Sequence, residues 1–330
     1  MTRDPPDTSG RIRLSGPDTR VPLLAHGSTG YYPQGRGRAG STAPSPTIRR
    51  SARLTQARTS GEIENGASGG LVGRAEYWAR IALSKGWVEE WVQGAIYPSE
   101  MVFFLARCEQ SNVASVIESG RQDGFSTAIL GEYARRRGVR VFSIDYEQDA
   151  DRAARCRERL AVYPELHLLR GDANTLIGQL VRQEAPRRTA LLADGPKGFW
   201  ALALMSAAAA QGSVTAIALH NLGPRQPATP YVEGLAPEPL YYEESLDNPG
   251  SAWRELKSAE DRFCAKSAQG ALSHSSLGVM VLSDSVRHRL AWAIHPGFKL
   301  FQPPLVRLGW GLGLFRATGW LFSLSFRFLA

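Results

Sequence analysis

Five polar side chains each follow an apolar, strand-like run in the middle of the chain. They are Glu118, Asp145, Asp172, Asp194 and His220. A carboxylate can accept hydrogen bonds from ribose hydroxyls or from an amine of a base, and a carboxylate or imidazole can take a proton from a hydroxyl. The carboxyl ends of parallel strands share one edge of a sheet, so five such residues together predict a ligand site there.

The first of these residues opens a glycine-containing loop. Glu118 is followed by Gly120 and Gly124, and then by the hydroxyl pair Ser126 and Thr127. Glycines allow a tight turn and a close approach of the backbone to a ligand, and the helix that follows offers unpaired N–H groups. The pattern indicates a strand that passes to a helix through a ligand-binding turn.

Strand-like and helix-like runs alternate from residue 113 onward. The strand-like runs are 114–118, 140–145, 166–170, 189–194 and 214–219, and the helix-like runs are 127–137, 150–162, 174–183 and 199–210. This alternation requires right-handed crossovers and a parallel sheet covered by helices on both faces. We predict an α/β, Rossmann-like, doubly wound and mostly parallel sheet, completed by a helix over 251–267 and a strand over 279–283.

Other segments flank or interrupt this alternation. Residues 1–70 are rich in Gly, Pro, Ser, Thr and Arg, and we predict a disordered basic tail. Apolar side chains at helical spacing over 72–108 predict N-terminal helices packed on a core over 113–283, within one domain over 71–299. The stretch 220–250 is rich in proline and is typical of a long loop, such as a lid or binding segment.

Residues 300–330 form an apolar C-terminal segment that contains arginines. Its longest stretch without charge is 317–326, ten residues, which is short of the roughly 20 needed to cross a bilayer. The segment either lies in a membrane interface, with Arg307, Arg316 and Arg327 at the headgroups, or packs on the core of the protein as an arm.

Charge and cysteine content argue against several classes of protein. The formal net charge is +8, but residues 1–70 hold ten arginines and five acids and so carry +5 of it. Nucleic acid binding needs cations clustered on a folded face, so we expect no nucleic acid partner. Cys108, Cys156 and Cys264 lie far apart and have no zinc-site spacing. No secretory signal is visible, and we expect a cytoplasmic protein, peripheral at a membrane if the C-terminal segment docks there.

Residues 113–221 resemble the class I S-adenosylmethionine-dependent methyltransferase family, nearest to its small-molecule and sugar O-methyltransferases. The resemblance rests on five motifs after five strands: Glu118-x-Gly120, Asp145, Gly171-Asp172-Ala173, Asp194-Gly195-Pro196-Lys197 and His220-Asn221. It implies an enzyme with a Rossmann-like fold, S-adenosylmethionine as cofactor and a small hydroxylated acceptor.

The resemblance also implies roles in cofactor binding. The loop with Glu118, Gly120 and Gly124 would wrap the methionine part of the cofactor. Asp145 would hold the ribose hydroxyls, because a carboxylate can accept from both. Asp172 and Ala173 would contact the adenine, whose exocyclic amine needs an acceptor.

The last two motifs would serve the acceptor. A hydroxyl acceptor needs a base or a metal, and Asp194 and His220 are the candidate catalytic groups. Several members of the subgroup hold a divalent metal at these two strand ends, where the candidate ligands here are Asp194 and Asn221. Lys197 stands where the subgroup commonly carries histidine, and it could attract an anionic group of the acceptor.

The loop after the first strand departs from the family, which usually has three glycines there. Arg121, Gln122 and Asp123 lie between the two that remain, and their side chains either fill part of the methionine pocket or curl outward. The departure leaves a second hypothesis, a non-catalytic relative that acts as a membrane-associated or complex-forming partner. A third, a NAD-dependent oxidoreductase, is disfavoured because Gly-x-x-x-Gly does not match GxGxxG.

Overall fold

The computed structural model describes residues 69–92, 94–211, 213–223, 226, 228–236, 238–266 and 276–293. All of them lie within the compact unit Ala57–Ala330. The C-terminal segment over 300–330 and nearly all of the predicted tail over 1–70 lie outside the described residues, so both stay predictions. None of the helices in the described ranges has the length and apolar content needed to cross a bilayer.

A sheet of six strands lies at the centre of the described residues, in the order β3-β2-β1-β4-β5-β6. The strands are β1 Ser115–Ser119, β2 Arg140–Asp145, β3 Leu166–Arg170, β4 Thr189–Ala193, β5 Val214–Leu219 and β6 Gly278–Val281. β1 to β5 are parallel, and β6 is antiparallel to β5. The strand order changes direction between β1 and β4, which is the switch point where such sheets bind ligands. The predicted Rossmann-like α/β fold is confirmed.

Helices cover both faces of this sheet. They are α1 Leu71–Lys85, α2 Trp87–Glu90, α3 Pro98–Gln110, α4 Phe125–Arg137, α5 Ala150–Leu160, α6 Ala173–Glu184, α7 Gly198–Ala209, α8 Thr229–Leu235, α9 Tyr242–Ser245, α10 Ser251–Lys266 and α11 Asp284–Ala293. Neighbouring residues of a strand point to opposite faces. Val116 and Leu192 therefore pack with α1, α3, α4 and α10, while Ile117 and Leu191 pack with α6, α7, α8 and α11.

Capping residues explain where the helices nearest the carboxyl edge begin and end. The Asp149 side chain accepts from the backbone N–H of Arg152 at the start of α5, and the Asp172 side chain accepts from that of Asn174 at the start of α6. α4 ends at Gly138, whose φ of 66° lies in the left-handed region that glycine adopts readily. The Asp149 and Asp172 caps fix the loops after β2 and β3 at the carboxyl edge of the sheet, whereas Gly138 ends α4 at the amino edge, just before β2.

The segment 220–250 differs from the prediction of a long loop. It contains α8 and α9, and Leu235, Leu240 and Tyr242 are buried. The Tyr242 ring makes an edge contact with Trp253, with 5.3 Å between centroids. Helices of seven and four residues are too short to give a clear helical period among prolines and glycines, which is why the sequence pattern indicated a loop. α11 was not predicted either.

Candidate functional site

A cavity of about 400 Å³ opens at the carboxyl edge of the sheet, where the loops after β1, β2, β3 and β4 converge. Its volume is in the range of small-molecule and cofactor sites. The cavity brings together six of the residues proposed from the sequence, namely Gly120, Asp145, Asp172, Ala173, Asp194 and Lys197. These residues span 78 positions of the sequence, from 120 to 197, so the sheet is what assembles them.

Glu118 lies beneath this cavity and does not line it. Its side chain is fully buried and accepts hydrogen bonds from the hydroxyls of Ser126 at 2.5 Å, Thr127 at 2.6 Å and Ser143 at 2.5 Å. Burial raises the pKa of Glu118, although the three hydroxyls act in the opposite direction. The structure gives Glu118 a positioning contact, which ties the first turn of α4 and the middle of β2 to β1.

The two glycines of the loop have different surroundings. A Cβ at Gly120 would lie 2.3 Å from the backbone nitrogen of Gly195, and the φ of Gly120 is +91°. Only glycine therefore lets the loops after β1 and β4 touch above the sheet. Gly124 has a φ of +78°, and a Cβ there would lie 2.7 Å from the sulfur of Cys156. It packs on α5 and does not line the cavity.

Asp145 is held by backbone donors. Its Oδ2 accepts from the N–H groups of Arg121 at 2.8 Å and Gln122 at 3.0 Å, and its Oδ1 accepts from the N–H of Glu147 at 2.7 Å. Burial would raise the pKa of Asp145, but these three hydrogen bonds outweigh burial and lower it. The group is therefore a carboxylate, and Oδ1, with one donor, keeps capacity for a ligand hydroxyl.

Asp172 has two functions in the structure, since it caps α6 and also lines the cavity. Its Oδ1 accepts from the backbone N–H and the side chain of Asn174, each at 2.9 Å, and from the hydroxyl of Tyr146 at 2.7 Å. All three of these donors bond to Oδ1, so Oδ2 is available to a ligand. The Tyr146 ring is half-exposed, at 52%, and lines the same cavity. Sequence analysis missed Tyr146, although it directly follows the predicted acid.

Asp194, Lys197 and His220 form one polar cluster. Asp194 Oδ1 lies 2.5 Å from Lys197 Nζ and 2.5 Å from His220 Nδ1. The side-chain nitrogen of Asn221 lies 3.2 and 3.3 Å from the two ring nitrogens of His220. Asp194 and Lys197 line the cavity, whereas the buried His220 reaches it through Asp194.

The candidate metal ligands do not form a metal site. The described residues contain no group of three or more His, Cys, Asp and Glu side chains that could hold a metal ion. Asp194 Oδ1 already contacts Lys197 and His220, and the Lys197 ammonium would repel a divalent cation placed beside it. Asn221, the second candidate, carries no charge to offset that repulsion. Asp194 and Asn221 therefore do not fit a divalent metal.

The three inserted residues of the loop point in different directions. Only Gln122 lines the cavity. The Arg121 guanidinium turns inward to the carbonyl of Ser143, at 2.6 Å, and Asp123 pairs on the surface with Arg152, at 2.7 Å. The insertion thus leaves a cavity of about 400 Å³ beside it, and Arg121 and Asp123 do not fill it.

Comparison with solved structures finds methyltransferases of low sequence identity. A methyltransferase from Podospora anserina bound to S-adenosylhomocysteine (SAH) matches 70% of this chain and 100% of its own, with 13% identity and a TM-score of 0.36. An O-methyltransferase from Bacillus cereus in complex with SAH matches 62% and 90%, with 14% identity and a TM-score of 0.36. An O-methyltransferase from Streptomyces achromogenes involved in tomaymycin synthesis, in complex with S-adenosylmethionine, matches 66% and 91%, with 14% identity and a TM-score of 0.37.

All three proteins are named as methyltransferases, and the sequence motifs of this chain resemble a methyltransferase family. Their TM-scores lie below 0.5, which is too low to indicate a shared activity. No family model matches the chain. No curated protein matches it either.

Proposed function

We propose that this chain is an S-adenosylmethionine-dependent methyltransferase that methylates a hydroxyl of a small acceptor. The observation that carries the proposal is the cavity at the switch point, where Asp145 and Asp172 stand on one side and Asp194 and Lys197 on the other. One side offers acceptors for a nucleoside, and the other offers groups that can handle a proton and a negative charge.

The nucleoside side has the chemistry that the cofactor needs. Asp145 is ionised and can accept from a ribose diol, and Oδ2 of Asp172 can accept from the adenine amine. The half-exposed Tyr146 ring offers a flat apolar face for the base. When bound, the cofactor supplies a methyl group activated by a sulfonium. The protein contributes alignment of that methyl with the acceptor, which can be worth about 7–11 kcal/mol.

The acceptor side supplies a base. Asp194 lines the cavity, and its carboxylate can take the proton of the acceptor hydroxyl. The buried His220, whose Nδ1 lies 2.5 Å from Asp194 Oδ1, holds that carboxylate in place. The acceptor oxygen then carries the electron pair that bonds to the methyl carbon. Asp194 is the proposed catalytic base, and His220 is its positioning residue.

The position of Lys197 favours an acceptor that carries an anionic group. Its side chain is 46% exposed and lines the cavity while it contacts Asp194. An ammonium in that position can pair with a carboxylate or phosphate of the acceptor. We therefore propose that the acceptor is a small hydroxylated acid or a similarly charged hydroxyl compound.

Titration of the chain with SAH tests the proposal. We expect saturable one-site binding by isothermal titration calorimetry, and a loss of affinity on the order of 100-fold for Asp145→Ala, because a charge-assisted hydrogen bond to the ribose is removed. Asp151→Ala is the matched control, since Asp151 is an exposed acid of α5 that lines neither side of the cavity. Folded protein that does not bind SAH at near-millimolar concentration would refute the proposal.

The membrane contact of residues 300–330 is a separate proposal. It rests on their apolar, arginine-containing sequence. Deletion of these residues should move the protein from vesicle-bound to free fractions in a flotation assay with anionic lipid vesicles. An unchanged distribution of a folded deletion variant would favour packing of the segment on the protein.

A further inference from the structure

A buried ion pair lies next to the Asp145 carboxylate. Arg121 Nη2 is 2.5 Å from Glu147 Oε1, and the two side chains are 2% and 5% exposed. Arg121 Nη1 also donates to the carbonyl of Ser143 on β2, at 2.6 Å, and Arg157 pairs with the other oxygen of Glu147. The pair lines a second cavity of about 380 Å³ that shares Gln122, Asp145, Tyr146 and Gly195 with the first.

Stability alone is a weak explanation for this pair. Removing two charges from water carries a large desolvation cost, and buried pairs often contribute little net stability. The turns on which they lie are also strained, since Gln122 has a φ of +46° and Glu147 a φ of +51°. Such a backbone conformation is unfavourable for a residue other than glycine, and it persists where the surrounding contacts hold the backbone in place.

The two strained turns have a common feature, which is that they supply the three backbone donors of Asp145. The N–H groups of Arg121 and Gln122 come from the loop after β1, and the N–H of Glu147 comes from the turn after β2. The ion pair joins these same two turns through their side chains. It therefore holds the donors in the arrangement that orients the carboxylate.

We propose that the Arg121–Glu147 pair positions the Asp145 carboxylate to accept a hydrogen bond from the diol of the cofactor ribose. This inference rests on the proposed function and adds positioning residues to it. Arg121 and Glu147 act through Asp145 and the backbone. Where the family usually has a third glycine in this loop, the present chain carries Arg121, which fixes the loop through its ion pair with Glu147.

The same loop provides a matched control. Asp123 pairs with Arg152, but on the surface, where the two side chains are 35% and 44% exposed. Exposed pairs of this kind contribute little to stability, because solvent screens the two charges. If any ion pair that restrains the loop were sufficient, removing the surface pair would lower SAH affinity as much as removing the buried pair does.

The test compares two probes on the intact chain. One is SAH, and the other is the SAH analogue that lacks both ribose hydroxyls. For Arg121→Met and Glu147→Gln, we expect SAH affinity to fall about tenfold to 100-fold, as for lost hydrogen bonds to a charged group, while affinity for the analogue stays unchanged. Arg152→Met should bind both probes as the wild type does. Circular dichroism and thermal melting confirm that each variant is folded, and Glu147→Gln, which keeps the size of the side chain, decides if Arg121→Met does not fold.

Two outcomes overturn the inference in distinguishable ways. The pair supports the loop without positioning Asp145 if the Arg121 and Glu147 variants lose the same factor in affinity for both probes. The same conclusion holds if these variants keep the wild-type preference for SAH over the analogue. If the wild-type chain binds neither probe, the proposed function fails and the positioning role fails with it. A wild type that prefers SAH over the analogue, with the preference lost in both variants, supports both proposals.

Discussion

On the β2 side of the cavity, Asp145 is held by three backbone N–H groups, whereas on the β4 side Asp194 is held by the side chains of Lys197 and His220. The three backbone donors lie on two turns that the buried Arg121–Glu147 pair joins, whereas the partners of Asp194 are side chains that can be exchanged without changing the fold. The proposed cofactor side is therefore fixed by the backbone and one buried ion pair, while the proposed acceptor side is open to change.

The largest difference between the β2 side and the β4 side of the cavity is expected at the proposed base, Asp194, and its partner His220. His220→Ala removes the buried partner that holds the Asp194 base, 2.5 Å away, so methyl transfer should slow by roughly 100-fold. SAH affinity should stay unchanged, because His220 does not line the cavity. Transfer of a labelled methyl to a panel of small hydroxylated acids measures the rate, and His167→Ala on β3 is the control. A parallel loss of SAH affinity would show that the β2 side and the β4 side of the cavity are not independent.

On the β2 side, the Tyr146 ring should matter for binding and not for proton transfer. Tyr146→Ala should weaken SAH binding about tenfold, since stacking of a base on an aromatic ring is worth about 1–3 kcal/mol. Tyr146→Phe keeps the ring and removes only the hydrogen bond to Asp172. Calorimetry of both variants should therefore find the Phe variant near the wild type. Equal weakening by both changes would assign the effect to the hydroxyl.

Lys197 offers a smaller effect on the opposite side. Lys197→Ala should raise the KM for an anionic acceptor about fivefold, which is the size expected for a partly exposed charge pair. The KM for S-adenosylmethionine should stay the same. Steady-state kinetics with an acidic acceptor and its methyl ester distinguish the cause, because the ester should not respond to the substitution. A response of both acceptors would indicate that Lys197 acts through Asp194.

The smallest effect is expected from removing metal ions. Because Lys197 and His220 occupy Asp194 Oδ1, EDTA should leave the transfer rate unchanged, and Mn²⁺ should show no stoichiometric binding by electron paramagnetic resonance. Loss of activity in EDTA that Mg²⁺ restores would contradict this expectation. It would also mean that Lys197 moves away from Asp194 during the reaction.

The sequence predicted the β2 side better than the β4 side, and the reason is physical. Asp145 and Asp172 follow apolar strand-like runs, and parallel strands must bring their ends to one edge, so period and order alone locate them. The direction of Arg121 depends on Glu147, which is 26 positions away, and no local pattern reveals such a partner. The bonds of Asp194 likewise depend on the rotamers of Lys197 and His220. The helices α8 and α9 are too short for their apolar residues to show a helical period.

The contact between Gly120 and Gly195 also bears on how new activities could arise on this scaffold. A Cβ at Gly120 would lie 2.3 Å from the Gly195 nitrogen, whereas a Cβ at Gly195 would lie 2.9 Å from the hydroxyl oxygen of Ser119 and 3.2 Å from the Gly120 nitrogen. Residue 120 is thus a poor place for variation, because a side chain there would displace the loop after β4. Directed evolution toward a new acceptor should therefore find its tolerated substitutions from Lys197 onward, and libraries that randomise Gly120 should yield mostly inactive clones.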